Sequence, residues 1–232
     1  MKLYYDLHIH SALSPCGDED MTPNNIVNMA YIKGLDIIAV SDHNSCKNAR
    51  AVMEAGKGVI KVVPGMEVTT AEEVHTLCLF PDIDSAEDMS EFVRTKMSGI
   101  KNQPEIFGRQ LIMNSEDEII GEEEKLLVNA VNMDIYEVSA ETKKRGGLFI
   151  PAHIDKSSYS VTANLGFLPP DLYVDGLEIT ARGLETFGKQ YADFGIITDS
   201  DAHYLEDISE CERFIDEENK NTQKILEFLC KF

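Results

Sequence analysis

Seven short apolar runs suited to strands punctuate the chain, at 3–9, 36–40, 59–63, 75–80, 148–151, 176–179 and 195–198, with helical patterns between them. Buried strands alternating with helices predict repeated βα units and a mostly parallel sheet. A length of 232 residues suits one α/β domain, so 1–232 is read as a single unit. The first helix is well marked: Thr22 precedes Pro23, Ile26, Met29, Ala30 and Ile32 follow at apolar spacing, and Gly34 is the stop. Another helix is expected to open at Ser85, with Ser-Ala-Glu-Asp as a capping box, and a further one over 134–144, closed by Gly146 and Gly147. The rhythm breaks at 106–123, which reads as a hairpin inserted near the site, its polar turn at 114–118. The tail, 209–232, reads as an acidic helix with apolar Phe214, Ile225, Leu226 and Leu229.

Composition narrows the function classes. Apolar residues at 43% and charged residues at 27% predict a packed core and exclude a disordered chain. No run approaches the roughly 18 apolar residues of a membrane span, and residues 1–6 lack a leader pattern, so a cytoplasmic protein with no membrane partner is expected. Five scattered cysteines without a Cys-x-x-Cys indicate neither a disulfide framework nor a zinc ribbon. The net charge of -20 repels polyanions, so long nucleic acid is not expected as a partner. A small phosphorylated molecule is, because bound cations would reverse the local field. Acidic runs such as Glu122 to Glu124 are read as solvated faces.

All six histidines, His8, His10, His43, His75, His153 and His203, lie at the boundaries of those strands. In a parallel barrel the carboxyl ends of the strands share one face, where functional groups collect. His8 and His10 are two apart, so both aim into the mouth while Leu7 and Ile9 pack outward. His43 ends a buried strand and needs a polar partner, with Asp42 placed to orient a ligand imidazole. Glu67 closes an apolar run, and a carboxylate can bridge two cations about 4 Å apart. His153 follows Ile150, and Asp201 and His203 project together after Thr198. Lys156 and Arg182 are candidate phosphate clamps, since both donate charge-assisted hydrogen bonds.

In order and spacing these motifs resemble the PHP family, named for polymerase and histidinol phosphatase: Asp6 to Ser11, Asp42-His43, Gly65-Met66-Glu67, His75, Pro151-Ala152-His153 and Ser200 to His203. The resemblance spans about 3–205. It implies a distorted seven-stranded (β/α)7 TIM-like barrel holding two or three divalent ions (zinc, manganese or iron) and hydrolysing phosphoesters by water activated on them. By position, His8, His10, Glu67 and Asp201 would hold one ion, Glu67, His75 and His153 a second, and His43 and His203 a third. Glu67, Asp201 and His203 would serve the activated water. The chain departs from the family at Ser14-Pro15-Cys16-Gly17-Asp18, where Cys16 would supply a thiolate, or Asp18 or Asp20 a carboxylate, for the third ion. The rival readings are an amidohydrolase-type metal hydrolase, disfavoured by Glu67 where that class bears a lysine, and a non-catalytic metal-binding PHP module.

Overall fold

The computed structural model describes residues 1–216 and 221–229. The chain runs through β1 (Lys2–Ile9), α1 (Pro23–Ile32), β2 (Ile37–Val40), α2 (Ala49–Ala55), β3 (Lys61–Thr69) and β4 (His75–Leu79). Then come α3 (Ile83–Lys96), α4 (Pro104–Phe107), β5 (Leu111–Met113), β6 (Ile119–Glu122), α5 (Ile135–Lys144) and β7 (Leu148–Pro151). The last third holds α6 (Val161–Asn164), β8 (Leu177–Glu178), α7 (Leu184–Gln190), β9 (Ile196–Ile197), β10 (Phe214–Asp216) and α8 (Thr222–Leu229).

A six-stranded sheet in the order β10-β1-β2-β3-β4-β7 forms the body, flanked by two separate pairs, β5-β6 and β8-β9. The expected seven-stranded barrel is therefore corrected to an open, curled α/β sheet. Within it β1, β2 and β3 are parallel, but β4 is antiparallel to both β3 and β7, and β10 is antiparallel to β1. No helix crosses between β3 and β4: a tight turn joins them, with Thr70 N–H donating to the Val74 carbonyl and Glu73 at φ 58°. β8 and β9 are two residues each and pair only with one another in the ladders, while their flanking segments bond to the sheet through Asp175 N–H to Phe149 O, Ile154 N–H to Glu178 O, Ala202 N–H to His8 O and His10 N–H to Ala202 O.

Local signals placed several elements. Thr22 caps α1 through its hydroxyl and Gly34 leaves the helix at φ 77°. Asp134 caps α5, and Gly146 closes it at φ 71°. The helix expected from Ser85 starts earlier, because Asp82 is the cap and accepts the Ser85 N–H at 2.8 Å. The hairpin is present as β5 and β6, preceded by α4 within the expected insertion. The tail differs: 214–216 is strand β10, held by β1, and only α8 is helical. Glu123 is not a solvated charge. It is buried beside Lys47 and Arg94, whose cations together with the Lys125 N–H overcome the burial penalty and lower its pKa.

Two apolar clusters under the helices and one on the concave face make the core. α1 and α2 cover Ile9, Ile38, Val40 and Val62, while α3 and α5 cover Met66, Cys78 and Phe149. The concave face gathers Leu3, Tyr5 and Leu7 of β1 with residues of β2, β3, β4, β7 and β9, and Ile225 and Leu226 of α8 pack there. Leu7 thus faces inward, contrary to expectation, whereas Ile9 packs outward. The β1–β2 register shifts between Asp6 and Ile9, which breaks the simple alternation there. Among the described residues no helix is long and apolar enough to cross a membrane. Cys16, Cys46, Cys78 and Cys211 are free thiols, and Cys230 lies outside the described residues.

Candidate metal centre

Antiparallel pairing puts a histidine where a parallel barrel would not. β4 begins at the rim where β3 ends, so Thr69 pairs with His75, and the first residue of β4 joins the ends of β1, β2, β3 and β7. Fully buried Glu67 sits at the centre of that rim. His75 Nδ1, His153 Nε2 and His8 Nε2 stand 2.8, 3.2 and 3.4 Å from its Oε1. His43 Nδ1 and His10 Nε2 stand 3.0 and 3.5 Å from its Oε2. Asp201 closes the other side, its Oδ1 3.2 Å from His10 Nε2 and its Oδ2 paired with Lys156.

Outer contacts fix the rings. Glu178 takes His8 Nδ1 at 3.0 Å and the His153 N–H at 2.8 Å, so one carboxylate orients two loops. His10 Nδ1 meets Ser14 Oγ at 3.0 Å, and that hydroxyl donates to Asp42 at 2.7 Å. Asp42 therefore steers an imidazole through Ser14, and the ring is His10. The Asp201 carbonyl accepts from His203 Nδ1 at 2.9 Å. Asp6 accepts the Ser200 and Ser209 N–H groups and ties β1 to the segment bearing Asp201.

The electrostatics are those of a cation site. Burial opposes charge on Glu67, yet His75, His8 and His43 hold its pKa well below the carboxylate range. Burial likewise opposes charge on His8, but Glu178, Glu67 and Asp201 raise its pKa well above normal. His10 goes the other way, lowered by burial and by the neighbouring His203 and His43. Burial works against the Cys16 thiolate, but hydrogen bonds with His203 and His43 bring its pKa down to about 6.

Donor geometry tests whether ions fit. His8 Nε2 and His10 Nε2 approach to 3.3 Å at the centre, while their Nδ1 atoms are taken by Glu178 and Ser14 on the outside, which leaves both Nε2 atoms turned to the same point. His43 Nδ1 and Glu67 Oε2, although 3.0 Å apart, do not align as a hydrogen bond, so both are buried without one. In three groups the donor atoms, one per residue, lie within 4.8 Å of one another: His8, His10, Glu67 and Asp201; His43, Glu67 and His75; His10, His43 and His203. Imidazole and carboxylate donors at such spacing fit zinc, iron or manganese.

Each expected ligand histidine is thus at the centre, but the grouping differs from the family pattern: His43 joins Glu67 and His75, while His153 touches Glu67 from outside that group. Cys16 reaches His43 and His203 at the rim. Asp18 does not join them, since its carboxylate accepts the Asp20 N–H at 2.8 Å in a turn. Lys156 and exposed Arg182 line a cavity of about 680 Å³ that runs past Asp201. Glu178 was missed by sequence reasoning, although a carboxylate inside the apolar run 176–179 was a usable signal. Glu178→Gln is expected to weaken metal affinity about 10–100-fold, because His8 loses its anionic partner. Competition against a chromophoric chelator measures this, and unchanged affinity would remove Glu178 from the site.

A profile of the PHP domain family matches residues 6–149, more than half of the chain. The chain belongs to the PHP domain family. An uncharacterised protein of Methanocaldococcus jannaschii is 34% identical over 88 residues, which is 34% of this chain and 52% of that one. Lesion-specific endonuclease Q of Pyrococcus furiosus superposes with TM-score 0.72 at 20% identity, covering 98% of this PHP chain and 56% of the endonuclease. A provisionally named metal-dependent phosphoesterase of Bifidobacterium adolescentis gives TM-score 0.64 at 20% identity, with 98% and 96% covered. These two likenesses are of fold. The chain spans about half the length of the first two relatives.

The fold comparison corrects the partner expectation. An endonuclease Q structure with TM-score 0.65 holds a 27-mer duplex with an abasic lesion at the active site. A PHP-like fold therefore accommodates nucleic acid, and net charge does not exclude it. Charge summed over a chain ignores where the cations lie, and the local field at a metal centre opposes the global one.

Proposed function

We propose that this PHP domain hydrolyses phosphoesters with divalent ions held by His8, His10, Glu67 and Asp201, by Glu67, His43 and His75 with His153 beside Glu67, and by His10, His43 and His203. The observation that carries this reading is Glu67, whose Oε1 faces His8 and His75 and whose Oε2 faces His10 and His43, so that this one carboxylate is common to two donor groups. Bound at these residues, divalent ions would supply a water of pKa about 7 and positive charge opposite the phosphoryl oxygens.

The chain's own groups do the rest. Glu178 and the Ser14–Asp42 pair hold His8 and His10 with their Nε2 atoms turned to the centre. Asp201, which lines the 680 Å³ cavity and pairs through Oδ2 with Lys156, would take a proton from the attacking water, with Glu67 and His203 beside it. Lys156 and Arg182 meet the phosphate with charge-assisted hydrogen bonds. Cys16 adds a soft donor at the His43–His203 edge, which favours zinc or iron over manganese in that position.

The test is metal analysis of the purified protein followed by turnover with zinc, manganese and iron. Phosphomonoesters, short oligonucleotides and cyclic amides form the substrate panel. Metal-dependent release of phosphate or nucleotides is expected. Turnover confined to the amides would put the centre in the amidohydrolase class, and two or more bound ions with no turnover would make it a binding module.

A further inference from the structure

A second cleft, of about 390 Å³, opens against His43 and His75. Its walls carry Phe107, Tyr159, Thr69 and Asn129, with Cys16 and Glu73 also at its edge. The two rings come from distant parts of the chain and are 40% and 47% exposed. Half-open rings sharing one cleft beside a metal centre differ from scattered surface aromatics, which need no explanation.

The cleft is built. Tyr159 stacks on His75 with centroids 4.7 Å apart, and its carbonyl accepts the His75 N–H at 2.9 Å. Its backbone lies at φ 55°, a conformation a bulky residue adopts only when its surroundings enforce it. Phe107 ends α4 and is followed by Gly108 at φ 94°, where a Cβ would come within 2.1 Å of the Pro15 carbonyl. Only glycine lets α4 lie on the loop that bears Cys16. The opposite wall is pinned by Asn44, next to His43, whose amide donates to the Leu127 and Asn129 carbonyls at 2.6 and 2.9 Å.

The lining selects its ligand. It carries no lysine or arginine, so it is not a phosphate site, and its one carboxylate is that of Glu73. Thr69 Oγ1 and Asn129 Nδ2 lack hydrogen-bond partners among the described residues. Thr69 lies two residues beyond Glu67 on β3 and so shares its face. A flat, neutral group with a hydrogen-bonding edge matches aromatic walls and unpaired polar atoms.

We propose that this cleft receives a nucleobase of the substrate, stacked on Tyr159 and Phe107, while its phosphoester meets the metal centre. The inference rests on phosphoester hydrolysis at that centre. The test compares kcat/KM for nucleoside 5'- and 3'-monophosphates, ribose 5-phosphate and phenyl phosphate, in the wild-type protein, Phe107→Ala and Gly108→Ala. The nucleotides are expected to exceed ribose 5-phosphate by about tenfold or more, and both variants to narrow that ratio by a similar factor. An equal rate for base-bearing and base-free substrates, phenyl phosphate matching the nucleotides, or an unchanged ratio in both variants would overturn it. Equilibrium dialysis with adenosine, guanosine, cytidine and uridine keeps the two readings apart. If no phosphoester turns over, the hydrolytic reading fails, while nucleoside binding lost in Phe107→Ala still supports the cleft and its absence refutes it.

Discussion

Glu67→Gln is expected to lower phosphoester turnover on the order of 10³-fold, the scale on which a principal electrostatic group acts, and to reduce the metal content of the purified protein. The amide is the same size, so packing around this fully buried position is kept. What changes is the donor set: glutamine has one acceptor oxygen, and its NH2 would face the imidazoles now directed at Oε1 or Oε2. Two of the three donor groups contain Glu67, so both lose its negative charge at once and only one oxygen is left between them. Elemental analysis together with steady-state kinetics checks this. Full turnover in a folded variant would remove Glu67 from the chemistry.

Chelation is expected to destabilise the fold as well as stop turnover. An ion that binds only the folded state stabilises it by about 2.7 kcal/mol when present at 100 times its dissociation constant. For a domain of this size each kcal/mol moves Tm by about 2–4 °C, so removing two such ions lowers it by about 10–20 °C. The local reason is the crowding of imidazoles and carboxylates around Glu67, which leaves His43 Nδ1, Glu67 Oε2 and His153 Nδ1 buried without hydrogen bonds. Scanning calorimetry with and without EDTA measures the shift, and Glu67→Gln should respond to EDTA much less than the wild type. Equal Tm values for wild-type protein with and without chelator would contradict a metal-supported centre.

The sequence made the centre legible because histidine is scarce in this chain and sits at the strand boundaries. Ligand type and strand position together pointed to one rim. The supporting residues were harder to see. Glu178 meets His8 across 170 positions, and nothing local distinguishes it from other strand-end acids except its apolar neighbours. The Ser14–Asp42 pair depends on the same kind of distant approach.

The fold was legible where local signals agree with tertiary ones, as at Thr22 and Pro23 of α1 or Asp134 and Gly146 of α5. The antiparallel β4 was hidden because its turn gives the left-handed position to Glu73, where a turn of this kind ordinarily has glycine or asparagine. Closure of the barrel fails for a reason no periodicity carries: β8 and β9 pair over only two residues. Phe214 read as part of a helix because its strand exists through pairing with β1, where its ring meets Tyr4 edge-on at 5.9 Å.

Anomalous scattering from a crystal of the protein grown with manganese or zinc tests the central claim most directly. Two or more peaks are predicted at the rim, about 4 Å apart, with the Glu67 carboxylate between them and the histidine nitrogens around. Ordered ions elsewhere on the molecule, with no peak beside Glu67, would contradict it.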